Sequence, residues 1–230
     1  MIKKVKSLIN PSLSHWIDKN GRVDYQSLKE DKWFWKQIDK IETMDLTDKT
    51  EKERFAFWLN AYNFLTIKGV LDKLEKKPNW NGNTSFIGRI LFFYFKRFKV
   101  ANRKMSLYRL ENKILRKRFR DPRIHFVINC GSSSCPFLPG NMFEANSLDE
   151  TLDGLTSFFI NSQTNVYLDE KDAILYLNKI FKWYKKDFKK EGGIIEFIKK
   201  YWKGPKEKLD NVKIKYKKYD WSLNNQANEK

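Results

Sequence analysis

Residues 51–74 read Glu51-Lys52-Glu53-Arg54-Phe55-Ala56-Phe57-Trp58-Leu59-Asn60-Ala61-Tyr62-Asn63-Phe64-Leu65-Thr66-Ile67-Lys68-Gly69-Val70-Leu71-Asp72-Lys73-Leu74, and this stretch decides the fold. Phe55, Phe57, Trp58, Leu59, Leu65, Ile67, Val70 and Leu71 occupy most of a helical circumference, as in a central helix buried on nearly every side. Asp48 or Thr50 is placed to cap it, and the turn-rich run Lys77–Asn83 stops it. Asn60 and Asn63 stand three apart and share a face. Two amides inside a buried helix must find partners or cost on the order of a few kcal/mol. They read first as clamps on a loop backbone, the cysteine-bearing loop being one candidate, and second as groups that orient a catalytic histidine or a substrate amide.

Outward from this helix, Met105–Phe119 predicts a second one, with Ser106 as N-cap and Leu107, Leu110, Ile114 and Leu115 at helical spacing. Arg123–Asn129 is short, β-branched and aromatic between Asp121-Pro122 and Gly131, and predicts a buried strand. Asn165–Leu168 and Ala173–Leu177 predict a hairpin around Asp169–Asp172. Asn178 is placed to cap a helix through Phe188, which Gly192-Gly193 would end, and Ile194–Trp202 predicts another. Val212–Tyr216 alternates as an edge strand with its lysines in solvent. The expected fold is α+β: a single domain over residues 1–224 with a central buried helix, a small mostly antiparallel sheet and flanking helices, then a disordered tail over residues 225–230.

Of the 230 residues, 41% are hydrophobic and 16% aromatic, which excludes an intrinsically disordered chain. Forty-six Lys and Arg against 28 Asp and Glu leave a net charge of +18, a field that attracts nucleic acid or anionic membrane alike and singles out neither. Two Cys and two His, His15 and His125, exclude a disulfide-rich scaffold, a four-cysteine zinc site and a histidine-rich metal centre. No metal and no cofactor is implied. The opening Met1–Pro11 is basic but lacks the apolar run of a signal peptide, so a cytoplasmic protein is expected. The most apolar run, Phe86–Phe95, is interrupted by Arg89 and closed by Lys96-Arg97. It is far short of the roughly 20 residues of a transmembrane helix, and a buried core element is expected there in preference to one lying on a membrane surface.

Reactive side chains concentrate in His125–Pro136, which holds His125, Cys130, Ser134 and Cys135. A thiol becomes a nucleophile where a base or a positive field stabilises the thiolate. On an extended segment, His125 and Cys130 would lie on opposite faces about 16 Å apart, whereas the loop Gly131–Ser134 can fold back and bring Cys135 towards His125. The same loop offers backbone N–H groups for an oxyanion. Buried inert thiols, and a redox pair closing the Cys130–Cys135 loop, are the other readings of the two cysteines.

The series Ala56–Asn63, Ser106-Leu107 with Leu110-Glu111 and Ile114–Arg116, Asp121–Phe126 through Cys130, and Ser134-Cys135-Pro136 resembles the family called domain of unknown function 547. Trp183-Tyr184, Asp187-Phe188 and Tyr219–Asn224 resemble its closing blocks, so that the resemblance runs from about residue 20 to 224. The family has no assigned activity, but the resemblance implies one shared polar site containing Asn60, Asn63, Glu111, Arg116, Asp121, Arg123, His125, Cys130 and Cys135. It implies that Cys130 is the more constant cysteine, against the spacing, which favours Cys135. It also implies relatives that are often secreted, a signal absent from this N-terminus.

Two functional classes follow. The first is a cysteine-dependent hydrolase or acyltransferase acting on an amide or thioester, with one thiol as nucleophile, His125 as base, and Asn60, Asn63, Glu111 or Asp187 orienting it. The second is a non-catalytic binding domain for an anionic partner, nucleic acid or membrane, with Arg116, Arg118, Arg120 and Arg123 as its local cluster.

Overall fold

The computed structural model describes residues 12–229, so the reading of Met1–Pro11 lies outside the described residues. Two short helices, α1 (Tyr25–Lys29) and α2 (Lys32–Thr43), are capped by the carboxylates of Asp24 and Asp31. The central helix α3 spans Glu51–Lys76. Of its two candidate caps Thr50 is the one used: its hydroxyl accepts the Glu53 N–H while the Glu53 carboxylate accepts the Thr50 N–H. As its sequence requires, α3 is buried around nearly its whole circumference from Phe55 to Leu71.

A helix over Phe86–Ile90 (α4) continues through Leu91–Phe95 in wider i→i+5 turns. The antiparallel pair β1 (Phe98–Val100) and β2 (Arg103–Met105) leads to α5 (Leu107–Arg109), which likewise runs on in wide turns over Leu110–Phe119. Ser106 caps it as expected. Helix α6 (Leu148–Ile160) precedes the hairpin β3 (Val166–Asp169) and β4 (Ile174–Leu177). Then come α7 (Ile180–Trp183), a 3₁₀ segment Lys185–Glu191, α8 (Ile194–Tyr201) and β5 (Lys213–Tyr216), which pairs parallel to the edge of β4. The Asn178 side chain caps the start of α7 by accepting the Ile180 N–H. Helices around one buried helix, with small and mostly antiparallel sheets, make this an α+β domain.

The core has two parts. One surrounds α3 and includes Phe34, Leu59, Phe64, Leu65, Leu107 and Leu115. The other is an aromatic cluster behind the three-stranded sheet, built on Phe126, Phe159, Phe181, Phe188 and Phe197. The segment around His125 is the seam: Ile124, Val127 and Ile128 pack into the first cluster and Phe126 into the second.

This seam is not the strand expected over Arg123–Asn129. Pro122–Phe126 is a 3₁₀ helix, begun by Pro122 and capped by Asp121, whose carboxylate accepts the Arg123 N–H at 2.9 Å. The β-branched and aromatic composition fits a strand, but among the described residues no neighbouring strand pairs with this segment, whose Ile124, Val127 and Ile128 turn to one core and Phe126 to the other. The 16 Å separation derived from an extended chain falls with it.

One further expectation is corrected. Residues 86–95 are not core: Phe86, Ile87, Leu91, Tyr94 and Phe95 are exposed, and Phe92 alone is buried. It fits a notch at Gly69 of α3, where even a Cβ would stand 2.9 Å from its ring. Past Asn224, Gln226 donates its amide to the Val23 carbonyl and its side chain to the Trp16 and Arg22 carbonyls.

Both α3 amides act as loop clamps. Asn60 exchanges two hydrogen bonds with the Phe143 backbone, and Asn63 donates to the Val127 carbonyl at 3.0 Å and accepts from the Asn129 N–H at 2.8 Å. Asn63→Ala leaves two buried main-chain groups unpaired and is expected to destabilise the protein by about 2–4 kcal/mol in chemical denaturation; a loss of under about 0.5 kcal/mol would show that the clamp is not needed.

Candidate active site

A cavity of about 770 Å³ opens at the seam between the two core clusters. His125, Cys130 and Cys135 line it together with Tyr62, Glu111, Tyr184 and Tyr219, and the remaining wall is largely aromatic, with Phe86, Phe93, Tyr94, Tyr108, Trp183 and Trp221. His125 and both cysteines therefore share one space.

His125 is held on three sides. Its Nε2 lies 2.7 Å from an Asp187 carboxylate oxygen, and its ring stacks on Tyr184 at 3.7 Å between centroids. Phe188 closes one edge. Arg116 grips the same Asp187 through Nε at 2.7 Å and Nη2 at 3.0 Å, a two-pronged pair. The His125 hydrogen bond and the Arg116 guanidinium hold the Asp187 carboxyl well below the usual carboxylate range, against a desolvation that opposes them. For His125 burial wins, and its pKa lies below the ordinary histidine value although the Asp187 hydrogen bond works the other way. An ionised carboxylate only accepts, so Nε2 carries the proton and Nδ1 is left as a basic lone pair. Nδ1 is buried and has no hydrogen-bond partner.

Glu111 orients the histidine at one remove. Its carboxylate accepts hydrogen bonds from Tyr184 at 2.6 Å and Tyr62 at 3.2 Å, and Tyr184 is the ring on which His125 stacks. Burial raises both phenols well above their ordinary pKa, so they remain donors.

The cysteine loop is closed by Asn129, whose side chain accepts the Gly131 N–H and donates to the Pro136 carbonyl, each at 2.7 Å. That closure brings Cys130 and Cys135 together as a disulfide, so neither is a free thiol here. Around Cys135 Sγ the donors converge: the Cys130 N–H at 2.9 Å and the Tyr219 hydroxyl at 3.2 Å. Ser132 Oγ is 3.4 Å from the same sulfur and 3.0 Å from the Tyr219 oxygen, so its single proton serves one or the other. Burial keeps Tyr219 protonated by raising its pKa.

Several expected site residues lie elsewhere. Asn60 and Asn63 hold loops, not His125. Asp121 and Arg123 form an ion pair at 2.6 Å, and Arg123 continues to Asp149 and Asp153, tying the 3₁₀ segment to α6 outside the cavity. Ser134 joins the loop to the C-terminal segment by accepting the Asp220 N–H at 2.8 Å. The loop N–H groups expected to face an oxyanion are used internally: those of Gly131, Ser133, Ser134 and Cys135 all have protein acceptors. Tyr62, Ser132, Tyr184 and Tyr219 were not among the expected site residues. Tyr62 stands between the two α3 amides and Ser132 within the cysteine loop, whereas nothing local marks Tyr219, which reaches Cys135 across 84 residues.

A group whose folded pKa is depressed disfavours the protonated native state, so the unfolded chain takes up the proton first as pH falls. For His125 this predicts that stability declines with acidification below about pH 6.5, while the gain from the depressed Asp187 persists until about pH 3.9. His125→Gln should flatten the dependence in the upper window when unfolding free energies are measured against pH; an unchanged slope there would contradict a buried neutral histidine.

The family model described as a protein of unknown function, DUF547, matches residues 46–160. Searches of curated proteins and of solved structures find no match. The matched span carries α3 with both its amides, Glu111, Arg116, His125 and both cysteines, whereas Asp187 and Tyr219 lie beyond it. Half of the chain, including the His125–Cys135 segment, fits the family model, and the chain belongs to the DUF547 family.

Proposed function

We propose that the cavity is the active site of a cysteine-dependent acyl hydrolase or acyltransferase whose reduced form carries the activity, with Cys135 as nucleophile and His125 as base. The observation that carries this reading is the convergence of the Cys130 N–H and the Tyr219 hydroxyl on Cys135 Sγ, in a cavity also lined by His125, whose Nε2 is held from behind by Asp187. Hydrogen-bond donors aimed at a sulfur favour its thiolate. Cys130 Sγ, by contrast, receives no backbone donor and meets only the hydroxyls of Ser132 and Tyr219.

In the reduced enzyme the Cys135 thiol gives its proton to His125 Nδ1 and attacks the carbonyl carbon of an amide or thioester. The leaving amine or thiol takes that proton, and a thioester to Cys135 remains. Water, deprotonated by His125, then releases the acid and restores the thiol; an acceptor amine or alcohol in its place gives transfer. Asp187 keeps His125 in the productive tautomer, while Arg116 and Tyr184 hold that pair in place. Phe93, Tyr108, Trp183 and Trp221 suit an apolar or aromatic acyl group.

The paired sulfurs favour a second reading, thiol–disulfide exchange, in which an incoming thiolate attacks Cys130 Sγ and Cys135 leaves as the stabilised thiolate. One variant separates the two: acyl transfer needs Cys135 alone, whereas exchange needs both sulfurs. In protein reduced with a dithiol, iodoacetamide should modify Cys135 half-maximally about a pH unit or more below the free-thiol value of about 8.5, and Tyr219→Phe should move it back towards that value. Cys130→Ser should retain thioester hydrolysis, and Cys135→Ser should lose about 100-fold or more. Loss in both variants, with exchange intact in the wild type, selects the redox reading. Two thiols reacting near their free value, with hydrolysis unaffected by Cys135→Ser, defeats both.

The Arg116, Arg118, Arg120 and Arg123 cluster gives little support to the binding-domain alternative. Arg116 is committed to Asp187, Arg118 to Glu51, and Arg123 to three aspartates.

A further inference from the structure

The helix that fails to be core carries five of the nine large hydrophobic side chains exposed among the described residues. Phe86, Ile87, Leu91, Tyr94 and Phe95 are 69%, 69%, 50%, 48% and 65% exposed, and they fall within ten residues at spacings that place them on one side of the α4 helix and its continuation. Nothing local demands this exposure. The opposite side is firmly seated, with Phe92 fully buried against Trp80 and in the Gly69 notch. A stripe this apolar on a well-packed helix marks an interaction surface.

The charge around it identifies the partner. From Lys76 to Leu110 the sequence holds nine Lys and Arg and not one Asp or Glu. Lys96 finds Asp72 from α3 at 2.8 Å, but Arg97, Lys99, Arg103, Lys104 and Arg109 are exposed and form no salt bridge among the described residues. Lys99 and Lys104 face each other directly across the β1–β2 pair. Like charges in that register repel, and a negative surface relieves the repulsion. An exposed aromatic and aliphatic stripe flanked by uncompensated cations is the pattern of an element that lies in a lipid headgroup layer. Nucleic acid would use the cations and the flat rings, but it offers nothing to Ile87 and Leu91.

We propose that the α4 helix, its continuation and the β1–β2 hairpin form a docking surface for an anionic lipid bilayer. The apolar stripe enters the acyl boundary and the cations of residues 97–109 rest on the headgroups. Phe86 and Tyr94 belong both to this stripe and to the cavity wall, so docking sets the cavity mouth against the membrane. The surface does not depend on the chemistry at Cys135, and its test involves no turnover.

The purified protein is sedimented with vesicles of phosphatidylcholine alone and of phosphatidylcholine with phosphatidylserine. Binding to the anionic vesicles is expected, with about tenfold or greater weakening in the double variant Phe86→Ser/Phe95→Ser and comparable weakening in Lys99→Glu/Lys104→Glu or between about 0.1 and 0.5 M salt. The charge variant alters exposed positions only, so it tests the proposal even should the apolar one unfold. No binding to anionic vesicles overturns the proposal. So does binding that the folded apolar variant keeps in full, because charge alone then explains it. Preferential capture by single-stranded nucleic acid in a competition with vesicles overturns it as well.

Discussion

Two amides in the middle of a buried helix set the geometry on which the site depends. Asn60 and Asn63 sit where α3 is closed to water on almost every side, so their hydrogen bonds must be made with protein. Asn63 meets that demand with the Val127 carbonyl and the Asn129 N–H. Asn129, fixed in this way, closes the cysteine loop with its own side chain. The position of Cys135 thus traces back through three links to the interior of α3. His125 lies four residues before Asn129, within the same pinned segment, so base and sulfurs are referred to one helix.

The second constraint is electrostatic. Net charge of +18 suggests a surface crowded with free cations, but Arg116, Arg118 and Arg123 are each paired with carboxylates, and Arg89 at the cavity wall spends its guanidinium on the Asn83 and Thr84 carbonyls and the Trp221 ring. Arg116 has a particular consequence for the chemistry. Burial holds the His125 imidazole neutral, and the Arg116 guanidinium, which shares the Asp187 carboxylate, adds a smaller push in the same direction. Over residues 97–109 five exposed cations form no salt bridge among the described residues, and no acidic residue stands within that stretch.

How far the sequence disclosed this depended on the range of each interaction. Helix α3, its Thr50 cap, the Ser106 cap, the β3–β4 hairpin and the edge strand β5 were legible because periodicity and local capping determine them. The 3₁₀ segment at Pro122–Phe126 reads as a strand because a short β-branched and aromatic run between a turn and a glycine has the same composition in either form, and length alone did not arbitrate. Residues 86–95 were misplaced because an apolar run reports how much its side chains gain from leaving water, not whether this fold or another surface receives them. Within the candidate site, His125 and both cysteines were found by their clustering in sequence. Asp187 was named only as one of several orienting groups, since a partner 62 residues away leaves no local mark, and Tyr219 stood out only as the start of a family-like closing block, with nothing to tie it to Cys135.

On the proposed mechanism Cys135, once reduced, is a nucleophile poised at the wall of an apolar cavity. The most direct test is to incubate the dithiol-reduced protein briefly with a long-chain acyl thioester, quench in acid, and locate any acyl adduct by peptide mass mapping. A single adduct on Cys135 is expected, formed at neutral pH and much diminished in Asp187→Asn, where His125 loses its orienting carboxylate. An adduct on Cys130 instead, or none on either cysteine while surface lysines are acylated, would contradict it.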